Sequence, residues 1–241
     1  MQILHTPAEL RAALAGLAPA LVPTMGNLHA GHMRLIERAV AEKTAGRASV
    51  VVASIFVNRL QFLPHEDFDS YPRTLAADCE KLQAAGCDIV FAPSEAVLYP
   101  EPQGFKVQPP AEMADMLEGA FRPGFFTGVC TVVSKLFNLV QPCGAVFGKK
   151  DYQQLAVLRA MVRQMAMPIE MIGVETERAE DGLALSSRNG YLSAAEREQA
   201  TALNQILRWL IVQTQAGRRD WQALEAQAIA ALNAQGWQSD Y

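Results

Sequence analysis

No stretch of this 241-residue chain stays apolar for the ~18–20 positions that a bilayer-spanning helix needs, which argues against a membrane protein. The opening residues, Met1 to His5, carry no basic start followed by a long apolar segment. An export signal is therefore not expected, and a cytoplasmic location is. Cysteine is scarce. The four residues Cys79, Cys87, Cys130 and Cys143 contain no Cys-x-x-Cys pair, which disfavours a disulfide framework or a thiolate metal site. Charge is sparse as well, at 19% of residues with a net value of −4, too little positive charge for a nucleic-acid partner held by bulk electrostatics. The chain also lacks internal repeats, low-complexity segments and any Gly-x-Gly-x-x-Gly fingerprint.

What is present is a globular composition, with 50% hydrophobic residues, and this excludes a disordered or collagen-like chain. At roughly 150 residues per domain, the length suits one large domain or two unequal ones. Short, β-branched runs at 20–24, 49–57, 88–91, 145–147 and 168–174 read as strands, the second nearly continuous, as a strand covered on both faces should be. Helical spacing fills the intervals at 32–42, 74–85, 131–140 and 151–165, for example Leu155, Leu158 and Val162. This alternation predicts βαβ units, that is, an α/β, Rossmann-like parallel sheet with helices on both faces. Past residue 176 the pattern changes to a loop followed by helices at 194–216 and 220–235, with all three tryptophans in this part. Ser193 and Glu196 form a capping-box pattern, and Asp220 and Gly236 are placed to cap the last helix. Two domains are expected: 1–176, Rossmann-like, and 177–241, smaller and mainly helical.

The segment Pro23-Thr24-Met25-Gly26-Asn27-Leu28-His29-Ala30-Gly31-His32 joins the first of these strands to the first of these helices. In an open parallel sheet, ligands bind beyond the carboxyl ends of the strands, and a helix N-terminus there suits a phosphate. Gly26 permits a tight turn with positive φ, and Gly31 permits close approach of a ligand to the backbone. The spacing Gly26-x4-Gly31 is half of a Walker loop, but His32-Met33 stands where Lys-Ser/Thr is required. Two histidines three apart are able to donate hydrogen bonds to phosphate oxygens. Zinc competes for the same imidazoles, yet the His-Glu-x-x-His pattern and a third ligand are missing.

The Pro-Thr-Met-Gly-x-Leu-His-x-Gly-His segment resembles the signature of the pantothenate synthetase (pantoate–β-alanine ligase) family, whose His-x-Gly-His motif is shared with nucleotidylyltransferases. Further stretches resemble the family in order: Phe56 to Phe62, Glu66 to Phe68, Tyr71 to Thr74 with Asp78, Gly128 to Asn138, Phe147 to Leu155 and Leu183 to Asn189. The likeness runs from about residue 5 to 241. It implies an ATP-dependent ligase in which pantoate and ATP give pantoyl-adenylate and pyrophosphate, after which β-alanine displaces AMP to form pantothenate. Neither half requires a protein nucleophile, so catalysis is expected from positioning and charge stabilisation.

The resemblance also implies roles. Met25, Gly26, Asn27, Leu28, His29, Ala30, Gly31 and His32 line the ATP site, with His29 and His32 against the phosphates and His32 as proton donor. Gly148, Lys149, Lys150 and Asp151 form a second wall, Lys150 neutralising phosphate charge. Leu185, Ser186, Ser187 and Arg188 correspond to a mobile flap on the triphosphate, and the backbone at Glu177 contacts the adenine end. Gln61 and Gln154 bind pantoate, with Asn58, Tyr71 and Arg122 as lesser contacts, and Gln61 also neighbours β-alanine. Mg2+ accompanies ATP, touched by Asp78 or Asp151, with no tightly bound cofactor. The family implies a homodimer acting on small molecules, without nucleic acid or membrane.

Plainer roles compete for some of these residues. Val132, Val133, Leu136 and Phe137 read as helix core, Asp151 serves equally as a helix cap, and Lys149-Lys150 as a solvated pair. The chain departs from the family pattern at Asn27, Arg59, Phe125, Cys143 and Lys149, where Ala, Pro, His, Asp and Glu are expected. Arg59 gives up proline's fixed φ and is expected to loosen the loop carrying Gln61; Lys149 reverses a charge beside Lys150 and is expected either to tighten ATP or to hold pyrophosphate too long. The closing 236–241 resembles the start of a strand that runs on in the family, so the lid domain is expected to be short or incomplete. Two alternatives stay open: a nucleotidylyltransferase, against which the amides Gln61 and Gln154 speak, and a non-catalytic nucleotide-binding relative.

Overall fold

The computed structural model describes every residue from Met1 to Tyr241. Six strands, β1 (Gln2–Leu4), β2 (Pro19–Thr24), β3 (Val50–Ile55), β4 (Ile89–Phe91), β5 (Gly144–Gly148) and β6 (Glu170–Val174), form one sheet in the order β1-β4-β3-β2-β5-β6. Every pairing is parallel. The helices between them are α1 (Pro7–Leu14), α2 (Ala30–Thr44), α3 (Leu75–Ala84), α4 (Glu95–Leu98), α5 (Ala111–Ala114), α6 (Glu118–Phe121), α7 (Phe125–Val140) and α8 (Tyr152–Gln164). Beyond β6 come α9 (Ala194–Gln199), α10 (Ala202–Gln215) and α11 (Trp221–Asn233), with 3-10 turns at Arg59–Gln61 and Ser187–Tyr191. No helix is long and apolar enough to cross a membrane.

Alternate side chains of the central strands enter two separate cores. Leu21, Val50, Val52, Ala145 and Phe147 pack with α1, α7 and α8 on one face. Val22, Val51, Ala53 and Val146 pack with Ile36 and Ala39 of α2 and Leu82 of α3 on the other. Burial on both faces is why these strands read as near-continuous apolar runs, and why the connections must be helical crossovers. The chain passes from β2 outward through β3 to β4, then crosses back to the other side of β2 for β5 and β6. The carboxyl ends of β2 and β5 are therefore the switch point at which an open α/β sheet forms its crevice.

The structure differs from the sequence pattern in several places. The three-residue β1 pairs with β4 as an edge strand, too short to show alternation. It is followed by α1, which is started by a capping box between Thr6 and Glu9 with Pro7 in the first turn. Helix α7 begins at Phe125 rather than 131, because Gly124 adopts the left-handed φ of 84° from which the helix departs. A single helix over 194–216 is instead α9 and α10. The Thr201 hydroxyl donates to the Glu198 carbonyl at 2.9 Å, a side-chain competitor for helical hydrogen bonding at the break.

The backbone falls into two compact units, Met1–Thr176 and Glu177–Tyr241. In the second, Ile206 packs with Ala228 and Leu232 between α10 and α11, with Trp209, Leu210 and Trp237 at the edge of this small core. Ser193 and Glu196 form the capping box of α9. Asp220 precedes α11 but does not cap it, since its carboxylate is taken by the Arg218 guanidinium at 2.6 Å.

Candidate active site

The turn between β2 and α2 is built on consecutive left-handed residues, Gly26 at φ 86° and Asn27 at φ 49°. A side chain at Gly26 would in addition meet Ile55 and the Asp78 carboxylate, at 3.1 and 3.2 Å, so the position requires glycine on both counts. Asp78, fully buried on α3, holds the turn from below. Its carboxylate accepts the backbone N–H groups of Asn27 at 2.9 Å and Leu28 at 2.8 Å, and the Thr74 hydroxyl at 3.0 Å. Three donors on its two oxygens make Asp78 a backbone clamp for this turn.

Helix α2 starts with an unusual cap, in which imidazoles replace the hydroxyl and carboxylate of the common capping box. His29 Nδ1 accepts the Gly31 N–H at 3.1 Å, and His32 Nδ1 accepts the His29 N–H at 3.2 Å. A neutral imidazole that accepts at Nδ1 carries its proton on Nε2. The histidines thus take up helix N–H groups that the sequence pattern leaves free for a phosphate, and present Nε2–H donors in their place. Burial pushes His32 down to about 3, and the charges of His29, Lys150 and Lys81 add to this. Burial likewise lowers His29, helped by Lys150 and Lys81. Both rings are neutral at pH 7. His32 is accordingly a neutral ring that donates through Nε2.

Across the crevice, β5 ends at Gly148 and is followed by Lys149, Lys150 and Asp151. The two lysines diverge. The Lys149 ammonium is paired with the exposed Glu175 carboxylate. Lys150 lies 3.2 Å from Asp151 and is close enough to act on both imidazoles. Asp151 does not cap α8, because its carboxylate is turned to Lys150 instead.

The loop after β3 carries Gln61. Its carbonyl Oε1 accepts from Asn58 Nδ2 at 3.0 Å, and its amide Nε2 donates to Met25 Sδ at 3.4 Å. In this orientation one amide N–H of Gln61 is left to meet an anion. Asn58 is buried at 1% exposure and fully committed. It also donates to the Gly128 carbonyl at 3.2 Å and accepts from the Tyr99 hydroxyl at 2.9 Å, which burial holds firmly protonated. Arg122 is committed too: it forms a fork to Glu66 at 2.6 Å, reaches Glu118 at 3.0 Å and donates to the Gln61 backbone carbonyl at 3.0 Å. Asn58 and Arg122 therefore both hold Gln61, one at its side chain and the other at its backbone carbonyl. Buried Tyr71 packs edge-on to Phe62 in the same loop. Arg59, where the family pattern has proline, is tied by Glu95 at 3.1 Å and by stacking on Phe68 at 3.8 Å, so lost rigidity is replaced by contacts.

Gln154 lies in the first turn of α8 and makes no hydrogen bond, whereas its neighbour Gln153 is held by Met113 and Met116 carbonyls at 3.1 and 2.8 Å. A cavity of about 320 Å3 opens behind Gln61, lined by Phe62, Arg122, Phe125 and Thr127, but neither imidazole reaches it. Of the other departures, Phe125 lies under the Arg122 guanidinium at 4.1 Å, and Cys143 Sγ contacts the Pro19 and Arg47 carbonyls, each at 3.3 Å.

In the second unit, the Leu185 N–H donates to the Glu177 carbonyl at 3.0 Å, which brings two of the expected ATP-contacting positions together in a short hairpin. Ser186 caps the next turn by accepting the Arg188 N–H at 3.2 Å. Ser187 and Arg188 follow in that turn. The residue that the sequence pattern misses is Lys81, on α3, which donates to the Leu28 carbonyl at 2.7 Å. A lone lysine in an amphipathic helix carries no local signal of such a contact.

Residues 2–241 match the family described as Pantoate-beta-alanine ligase. A pantothenate synthetase of Leptothrix cholodnii is 65% identical over 246 residues, covering 100% of this chain and 85% of its own. One from Paracidovorax citrulli is 60% identical over 247 residues, covering 100% and 86%. The crystal structure of pantoate-beta-alanine (pantothenate synthetase) from Thermus thermophilus is similar at a TM-score of 0.94 and 48% identity, covering 100% of this chain and 86% of that one. A Francisella tularensis pantoate-beta-alanine ligase complexed with beta-gamma ATP and beta-alanine gives 0.87 and 34%, covering 100% and 88%.

Proposed function

Because this chain belongs to the pantoate–β-alanine ligase family, and so joins pantoate to β-alanine at the expense of ATP through an adenylate, we propose a division of labour among its residues. The observation that carries it is the pair of outward Nε2–H donors at the switch point, between the carboxyl ends of β2 and β5.

A carboxylate is a poor electrophile with no leaving group, and adenylation supplies one. A pantoate carboxylate oxygen attacks the α-phosphorus of ATP; the new O–P bond forms as the bond to the bridging oxygen of pyrophosphate breaks. Negative charge shifts toward the departing phosphates. His29 and His32 donate Nε2–H to phosphate oxygens, and Lys150 adds a positive charge from the opposite lip. Neutral imidazoles suit this role, since they offer fixed dipoles at no cost in burying two further cations beside Lys150 and Lys81. The turn 25–32 seats the nucleotide, and Met25 brings it against Gln61.

Gln61 donates N–H to the pantoate carboxylate, and Gln154, free of protein partners, serves pantoate's hydroxyls through donor and acceptor alike. In the second half the amine of β-alanine attacks the acyl carbon, AMP leaves and the amine sheds a proton; Gln61 neighbours the incoming amine. Within the second unit, Glu177, Leu185, Ser186, Ser187 and Arg188 are assigned to ATP on the strength of the motif they match. Mg2+ enters as part of the nucleotide substrate. Exposed Phe105, Met116, Leu117 and Phe121 give the first unit apolar surface of the kind a second copy would cover, which supports a homodimer.

Exchange of labelled pyrophosphate into ATP tests the reading. Exchange is expected only when pantoate is present. Exchange with a phosphate-bearing acceptor in place of pantoate would favour nucleotidylyl transfer, and none at all with ATP bound would remove the catalytic assignment.

A further inference from the structure

Two side chains of helix α3 close on the turn before α2. Asp78 and Lys81 stand three apart and therefore on one helical face. Asp78 accepts the Leu28 N–H at 2.8 Å, while Lys81 donates to the Leu28 carbonyl at 2.7 Å. That carbonyl belongs to the peptide plane whose other end is the His29 N–H, and this N–H donates to His32 Nδ1 at 3.2 Å. The peptide unit is rigid, so its two ends turn together. A continuous relay runs from the Lys81 ammonium through the Leu28–His29 peptide to the His32 ring.

We propose that Lys81 is a positioning residue for adenylate formation, holding the Leu28–His29 peptide plane so that its N–H locks the His32 imidazole with Nε2–H directed outward. The physical basis is twofold. An ammonium on a carbonyl oxygen polarises the amide, which strengthens the N–H as a donor at the far end of the same plane. It also fixes the plane's rotation, and with it the direction in which the His32 ring can be gripped. Lys81 lies close enough to both imidazoles to help keep them neutral, which is the state in which Nδ1 accepts. The inference rests on the reading that His32 faces the phosphates.

The test compares Lys81→Met and Lys81→Arg in the full chain. Lys81→Met is expected to lower the turnover of pantoate-dependent pyrophosphate exchange by about 10- to 100-fold, the scale of a misaligned donor. The KM values for ATP and pantoate should stay within about threefold, because binding groups are untouched. Nitrogen NMR of His32 should show the Nε2–H tautomer in the parent and a mixture of tautomers in Lys81→Met. Lys81→Arg, which keeps both charge and donor, should restore both signals. An unchanged His32 tautomer in Lys81→Met, or an unchanged turnover, overturns the proposal. Should Lys81→Met not fold, Lys81→Ala is read by the same two measurements. Undiminished exchange in His32→Ala would instead sink the underlying reading of His32, while the tautomer measurement on Lys81→Met would still report on the relay.

Discussion

His29 and His32 face each other at 4.1 Å between ring centroids, and each uses Nδ1 to accept a backbone N–H at the start of α2. The cap thereby decides the chemistry. Two side chains that sequence alone allows to be cations, metal ligands or proton donors become neutral rings with one N–H each, aimed away from the helix that holds them.

This neutrality has a pH signature. His32 ionises at about 3 in the fold against 6.5 when unperturbed, so the unfolded chain binds a proton that the folded chain does not over that interval. The stability linked to His32 is complete above about 6.5 and is lost as pH falls toward 3. Thermal unfolding of His32→Gln should show a shallower acid decline than the parent over this window. Parallel curves would refute the depressed ionisation.

His32→Ala is expected to slow adenylation by about 10²- to 10³-fold, the effect of removing one donor to developing charge. His29→Ala should show a comparable loss and in addition cost about 1 kcal/mol of stability through the lost cap. Exchange kinetics and thermal unfolding separate the two contributions. Undiminished stability in both variants would contradict the reciprocal cap.

Asp78→Asn tests clamp against metal ligand. The amide can accept at one oxygen only, so one of the paired backbone N–H groups loses its partner, at a cost of about 1–3 kcal/mol. The Mg2+ concentration that gives half-maximal exchange should not move. A raised Mg2+ requirement without loss of stability would restore Asp78 to the cation.

Lys149→Ala should leave the KM for ATP within about twofold, since the ammonium is engaged by exposed Glu175 and such surface pairs contribute little. Gln154→Ala should by contrast weaken pantoate far more than ATP. Equal weakening of both substrates would refute the assignment of Gln154, and a large change in ATP binding on loss of Lys149 would show its charge acting on phosphate.

Much of the architecture was legible because burial leaves a strong mark. β3 and α7 are covered on nearly every side, and a continuous apolar composition is the direct consequence. Likewise the turn at Gly26 was readable, since a positive φ leaves few alternatives to glycine. β1 escaped notice because three edge residues show no period, and the break at Thr201 because a hydroxyl competing for one carbonyl is invisible in helical spacing.

By itself, then, the sequence determined the alternation of strand and helix, the place of the phosphate-facing turn and the family to which its motifs belong, because periodicity, glycine geometry and motif order are properties of neighbours along a chain. Only the tertiary structure decided which polar groups are available to a substrate. Asp78 reaches across 50 positions to Leu28, Arg122 across 61 to Gln61 and Lys149 across 26 to Glu175. Each contact engages a charge or lone pair, and hydrogen bonds between residues so far apart in the chain exist only once the sheet has brought α3, the Gln61 loop and the end of β6 to their places.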